Sequence, residues 1–172
     1  MTTYSSSTMT PVSSIPRKAP LPHGMVTPER KERSAAMFSG QTYLGGVLVV
    51  DDEKDIRQVV RMSLEKLGYY VVEAEDGQQA ITLLQQGEHP MVIDVIITDI
   101  RMPNINGVEA MDYFQREYPS IPLIVLTGFP DLDLAMQLMK RGVTDYLVKP
   151  VEREKLTTAV ADALGQRRIS WF

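Results

Sequence analysis

Residues 47–52 read VLVVDD, four aliphatic side chains in succession and then two adjacent acids, Asp51 and Asp52. A strand that is apolar at every position has no solvent face, and strands of that kind belong to parallel sheets covered by helices on both sides. Adjacent carboxylates repel, and each raises the other's pKa unless positive charge sits nearby. The stretch therefore poses two linked questions: what covers the strand, and what neutralises its end.

Outward from this strand the chain alternates. In DEKDIRQVVRMSLEKLG (52–68), Ile56, Val59, Val60, Leu64 and Leu67 recur at helical spacing, and Gly68 supplies a stop. YYVVEA (69–74) reads as a short strand, DGQQAITLLQQG (76–87) as an amphipathic helix, MVIDVIITD (91–99) as a third strand and NGVEAMDYFQREY (106–118) as the helix after it. IPLIVLT (121–127), DLDLAMQLMKRG (131–142), TDYLV (144–148) and EREKLTTAVADAL (152–164) complete five strand-helix pairs. Strict alternation with short connections predicts an α/β fold, a doubly wound five-stranded parallel sheet with five helices on its two faces.

In such sheets ligands sit beyond the carboxyl ends of the strands, where the strand order reverses. The first strand ends in Asp51 and Asp52, the third in Asp99 and the fourth in Thr127, and Lys149 follows the fifth. A hard divalent cation would relieve the crowding of three carboxylates, and magnesium prefers oxygen ligands and often contacts phosphate as well. Asp99 is then free to act as a nucleophile toward phosphorus. Lys149 would neutralise the transferring group, and the Thr127 hydroxyl would donate to one of its oxygens.

The segments VVDDE, TDIRMPNINGVE, LTG and DYLVKP, in this order and spacing, resemble the receiver domain of two-component response regulators over residues 46 to about 165. The resemblance implies the flavodoxin-like strand order 2-1-3-4-5. It further implies that Asp99 is the phosphoacceptor, that Asp52 binds magnesium directly and Asp51 mainly through water, and that the Arg101 backbone carbonyl completes the metal site. Thr127 and Tyr146 match the family's switch pair, Lys149 its phosphate-binding lysine, and Lys149-Pro150 a bond that is cis in relatives. Asn106 stands where many relatives have aspartate. Arg101 and Phe129 occupy two variable positions that in relatives tune how long the phosphoryl group survives, so its lifetime does not follow from the resemblance.

Composition limits the remaining classes. With no cysteine among 172 residues the chain has neither disulfides nor thiol chemistry, and no stretch approaches the length of a membrane span. Residues 1–45 carry five basic and two acidic side chains, a net +3 that leaves −7 on residues 46–172. An acidic domain is poorly suited to sequence-independent nucleic-acid binding, which needs a basic face. Domain by domain, 1–45 is expected to be a disordered Ser/Thr/Pro-rich extension, 46–165 the receiver, and 166–172 a basic-aromatic tail that either packs back or docks a partner. His23 and His89 have no metal-ligand partner nearby in sequence and read as polar loop residues.

The expected function is that of a stand-alone, cytoplasmic response regulator that is not an enzyme beyond its own phosphotransfer and dephosphorylation. It would accept a phosphoryl group from the phosphohistidine of a sensor histidine kinase onto Asp99 with Mg2+. Its signal would leave through a protein contact on the fourth helix, fifth strand and fifth helix, with a target protein or a second copy. Two alternatives stay open: a shuttle that passes the group to a histidine phosphotransfer protein, and a phosphorylation-independent scaffold. A magnesium-dependent aspartyl-phosphate phosphatase would carry a second acid two residues beyond its nucleophile, where this chain has Arg101.

Overall fold

The structure, a computed structural model, describes residues 43–86, 92–102 and 107–169, without the side chains of 167–169. The expectations for residues 1–42, His89, Asn106 and 170–172 lie outside them. Five parallel strands, β1 (Gly46–Val50), β2 (Tyr70–Ala74), β3 (Ile93–Thr98), β4 (Leu123–Thr127) and β5 (Asp145–Val148), pair in the order β2-β1-β3-β4-β5. Helices α1 (Lys54–Glu65), α2 (Gly77–Gln85), α3 (Gly107–Glu117), α4 (Leu132–Lys140) and α5 (Arg153–Ile169) each follow a strand. This is the flavodoxin-like order the resemblance implied.

The apolar run at 47–50 is explained by two cores. Val47 and Val49 turn to one side of the sheet with Val95, Ile97, Ile124 and Leu126, where they meet Val60 and Leu64 of α1 and Leu156 and Val160 of α5. Leu48 and Val50 turn to the other with Ile96, Leu123 and Val125, against Leu84 of α2, Met111 and Phe114 of α3, and Leu138 of α4. Neither parity of the strand faces water, so neither can be polar. Full burial of a side chain of this size is worth about 1.5–3 kcal/mol, and β1 buries all five of its residues. The edge strands β2 and β5 are only partly buried.

Local signals hold the helices in place. Asp76 accepts a hydrogen bond from the Gln79 amide at 2.7 Å, and Asp131 one from the Leu134 amide at 3.0 Å, so each satisfies an orphan donor at a helix start. Gly68 and Gly142 both adopt φ of +90° just beyond α1 and α4, a conformation that side-chain-bearing residues disfavour. α5, expected over 152–164, runs on through Gly165 to Ile169. One helical glycine costs only about 1 kcal/mol relative to alanine, and the good helix formers Ala163, Leu164, Gln166 and Arg167 flank it.

The sheet order sets the functional edge. β1 lies between β2 and β3, so the chain leaves β1 toward one half of the sheet and β3 toward the other, opening a crevice at their carboxyl ends.

Candidate functional site

Hydrogen bonds that extend the sheet by one residue assemble this edge. Val50 is in register with Thr98, and the Asp99 amide then donates to the Val50 carbonyl at 2.9 Å, which sets Asp99 beside Asp51. On the far side Thr127 is in register with Val148, and the Lys149 amide donates to the Thr127 carbonyl at 2.8 Å. Four strands thus deliver residues separated by as many as 98 positions to one place. The Lys149–Pro150 peptide is cis.

Carboxylate oxygens of Asp51, Asp52 and Asp99 lie within 4.8 Å of one another. Asp51 and Asp99 are buried and Asp52 is exposed. Asp99 Oδ2 accepts a hydrogen bond from Lys149 Nζ at 2.7 Å, and Asp99 Oδ1 accepts one from the Arg101 amide at 3.0 Å. Asp51 Oδ1 accepts from the Glu53 amide at 2.9 Å. Asp51 Oδ2 is also 2.7 Å from Lys149 Nζ, a close charge contact whose geometry is not that of a hydrogen bond, so this buried oxygen has no hydrogen-bond donor among the described residues.

The electrostatics follow from one ammonium shared among several acids. Burial pushes the Asp51 carboxyl above its ordinary pKa, and Asp99 adds to the push, while the Lys149 ammonium and the Glu53 amide pull it back. Lys149 is raised: burial works to lower it, but its contacts with Asp51, Asp99 and Glu53 outweigh burial. The two shifts are compatible, because the ammonium is oversupplied with partners while each carboxylate has only a share of it. A buried carboxylate oxygen with no hydrogen-bond donor among the described residues, inside an oxygen cluster where three acids share one ammonium, is an environment that suits a hard dication.

Thr127 and Tyr146, which the resemblance matches to a switch pair, lie one loop away. Buried Thr127 accepts from the Phe129 amide through Oγ1 at 3.3 Å. The half-buried Tyr146 donates its hydroxyl to the Phe129 carbonyl at 3.1 Å and accepts from the Asp131 amide at 3.4 Å. Phe129 in turn lies under the Arg101 guanidinium, 4.1 Å from its ring centroid, so the loop after β4 touches the residue two beyond Asp99.

Two neighbours escaped the sequence reading. Glu53 Oε1 accepts from Lys149 Nζ at 3.0 Å, and the Arg57 guanidinium donates to the Asp51 carbonyl at 2.6 Å while its Nε lies 3.8 Å from Glu73. Glu53 follows the acid pair directly, so its position was a signal. Arg57 had none: its side chain is only 13% exposed, on the flank of α1 beside the buried Val60 and Leu64, where apolar spacing predicts no charge.

An open doubly wound sheet with a carboxylate and lysine cluster at its switch point defines the receiver class, and comparison with known proteins agrees. The response regulator receiver domain family matches residues 47–161, and the chain belongs to that family. It is 33% identical over 124 residues to the transcriptional regulatory protein ZraR of Klebsiella oxytoca, across 72% of this chain and 27% of that protein. With the C4-dicarboxylate transport transcriptional regulatory protein DctD of Pseudomonas aeruginosa it shares 36% identity over 134 residues, 78% of this chain and 28% of that one. The chain therefore spans under a third of the length of these curated relatives. A receiver domain protein from Clostridium thermocellum superposes with TM-score 0.68 at 34% identity, covering 73% of this chain and 98% of that one. The chemotaxis response regulator CheY4 of Vibrio cholerae superposes at 0.63 and 33%, covering 72% and 100%.

Proposed function

We propose that this receiver takes a phosphoryl group from the phosphohistidine of a sensor histidine kinase onto the Asp99 carboxylate and signals through a protein contact. The observation that carries the reading is Asp99 itself, at the end of β3, with one oxygen held 2.7 Å from the Lys149 ammonium inside the acid cluster. An Asp99 oxygen bonds to phosphorus as the phosphorus–nitrogen bond breaks, and the electron pair leaves with the imidazole. The Asp99 carboxylate is already an anion, so no base is required.

Asp51, Asp52, Asp99 and the Arg101 carbonyl would hold Mg2+, which neutralises charge on the transferring group when bound. Lys149 supplies a second positive charge to the oxygens of that group, and the Thr127 hydroxyl a donor. As Thr127 turns toward the new dianion it gives up its contact with the Phe129 amide. Tyr146, bonded to the carbonyl of the same residue, loses its fixed partner, and the loop before α4 is released. The partner face is then α4, β5 and α5, where Leu132, Met136, Met139 and Val148 are exposed.

Intact-mass measurement with a small acyl phosphate tests the assignment: one phosphoryl group is expected with magnesium, none with chelator and none on Asp99→Ala. Undiminished labelling of Asp99→Ala would refute it. With beryllofluoride and magnesium, amide exchange outside the metal site should change most between residues 127 and 156. Silence on that face would put the output elsewhere.

A further inference from the structure

Lys149 has three N–H donors, and three carboxylates surround it: Asp51 Oδ2 at 2.7 Å, Asp99 Oδ2 at 2.7 Å and Glu53 Oε1 at 3.0 Å. The first two are buried strand-end groups. Glu53 differs, since its side chain is 60% exposed while that of Lys149 is 8% exposed. Its carboxylate is therefore the solvent-exposed partner of a buried ammonium.

Resting on the proposed function, we infer that Glu53 is a positioning residue that acts through Lys149 and sets the balance between cation and anion binding at the site. It holds one of the two ammonium donors that are hydrogen-bonded here, the other going to Asp99, and its negative charge repels an anionic donor. The same charge favours a dication among Asp51, Asp52 and Asp99. One side chain thus helps metal binding and hinders phosphoryl entry, and removing its charge moves the two in opposite directions. A merely structural role cannot do that, because local unfolding would weaken both.

The test uses the full chain and Glu53→Gln, which keeps shape and removes charge at an exposed position, with Glu65→Gln at the far end of α1 as the control of equal charge. Exposed ion pairs are weak, so each effect is expected to be about two- to fivefold. Calorimetry with magnesium alone should show weaker binding by Glu53→Gln. Beryllofluoride at saturating magnesium should bind it more tightly, and a small acyl phosphate should label it faster, by the same factor. Both differences should fade near 1 M salt, where screening acts within about 3 Å. The inference is overturned if the two affinities are unchanged, if they move together, or if Glu65→Gln reproduces them. A wild-type chain that takes no phosphoryl group at all overturns the proposed function and this inference together. A normally labelled wild type beside an indistinguishable Glu53→Gln overturns this inference alone.

Discussion

Asp51 and Asp52 are neighbours in the chain and occupy different environments, one buried with an oxygen that has no hydrogen-bond donor among the described residues, the other open to water. The electrostatic strain of the acid pair is therefore concentrated in Asp51. Because the folded chain holds the Asp51 pKa above that of an ordinary carboxylate, it keeps this proton more tightly than the unfolded chain does. That preference stabilises the fold fully below the unfolded value of about 3.9 and is lost as pH rises through the higher folded value. At neutral pH the ionised group is a burden. Asp51→Asn should melt above wild type in chelator at pH 7, its advantage should shrink toward pH 4, and its response to magnesium should diminish. A melting temperature at or below wild type at pH 7 would show that the contact with Lys149 outweighs burial.

At the scale of elements, two glycines make opposite predictions. A Cβ on Gly107, at the first turn of α3, would lie 2.0 Å from the Asp99 carbonyl oxygen and 2.4 Å from the Ile100 Cα. The helix can start beside Asp99 only if that position has no side chain, which is the physical content of the glycine in the motif. Gly107→Ala should cost about 3 kcal/mol or more, at the severe end for one substitution, and slow labelling of Asp99. Gly165 lies inside α5, and among the described residues no atom comes within 4 Å of an added Cβ. Gly165→Ala should raise stability by about 0.5–1 kcal/mol in urea unfolding and leave labelling alone. A loss of stability there would mean that the helix does not pass through 165. The spacing of apolar residues reveals every one of these elements, but it ends α5 at Leu164, and the helix runs on to Ile169.

At the scale of the whole molecule, the folded unit begins before the first apolar run. The Leu44 amide donates to the Gly68 carbonyl at 2.9 Å, and the ring of Tyr43 lies 5.7 Å from that of Tyr70, so residues ahead of β1 tie to the turn between α1 and β2. A boundary at 45/46 would cut both ties. A chain started at Tyr43 should melt with the full-length protein and be labelled as well. One started at Gly46 gives up two hydrogen bonds, Leu44 amide to the Gly68 carbonyl and Tyr70 amide to the Gly45 carbonyl, and an aromatic contact, so it should lose about 2–4 kcal/mol and melt several degrees lower. Equal melting of the two truncations would show that these contacts add nothing. Among the described residues no helix is long and apolar enough to cross a membrane.

Element order, the parallel sheet and the identity of the strand-end residues Asp51, Asp52, Asp99, Thr127 and Lys149 were determined by the sequence alone, because periodicity and turn residues are local properties and strand ends follow from them. What the tertiary structure decided is how charge is shared. Lys149 Nζ reaches Asp99 across 50 positions and Glu53 across 96, and the burial that raises Asp51 comes from the strands and helices packed around it, not from its neighbours in sequence. Pairing and desolvation depend on distances through space, and those exist only once the sheet has closed.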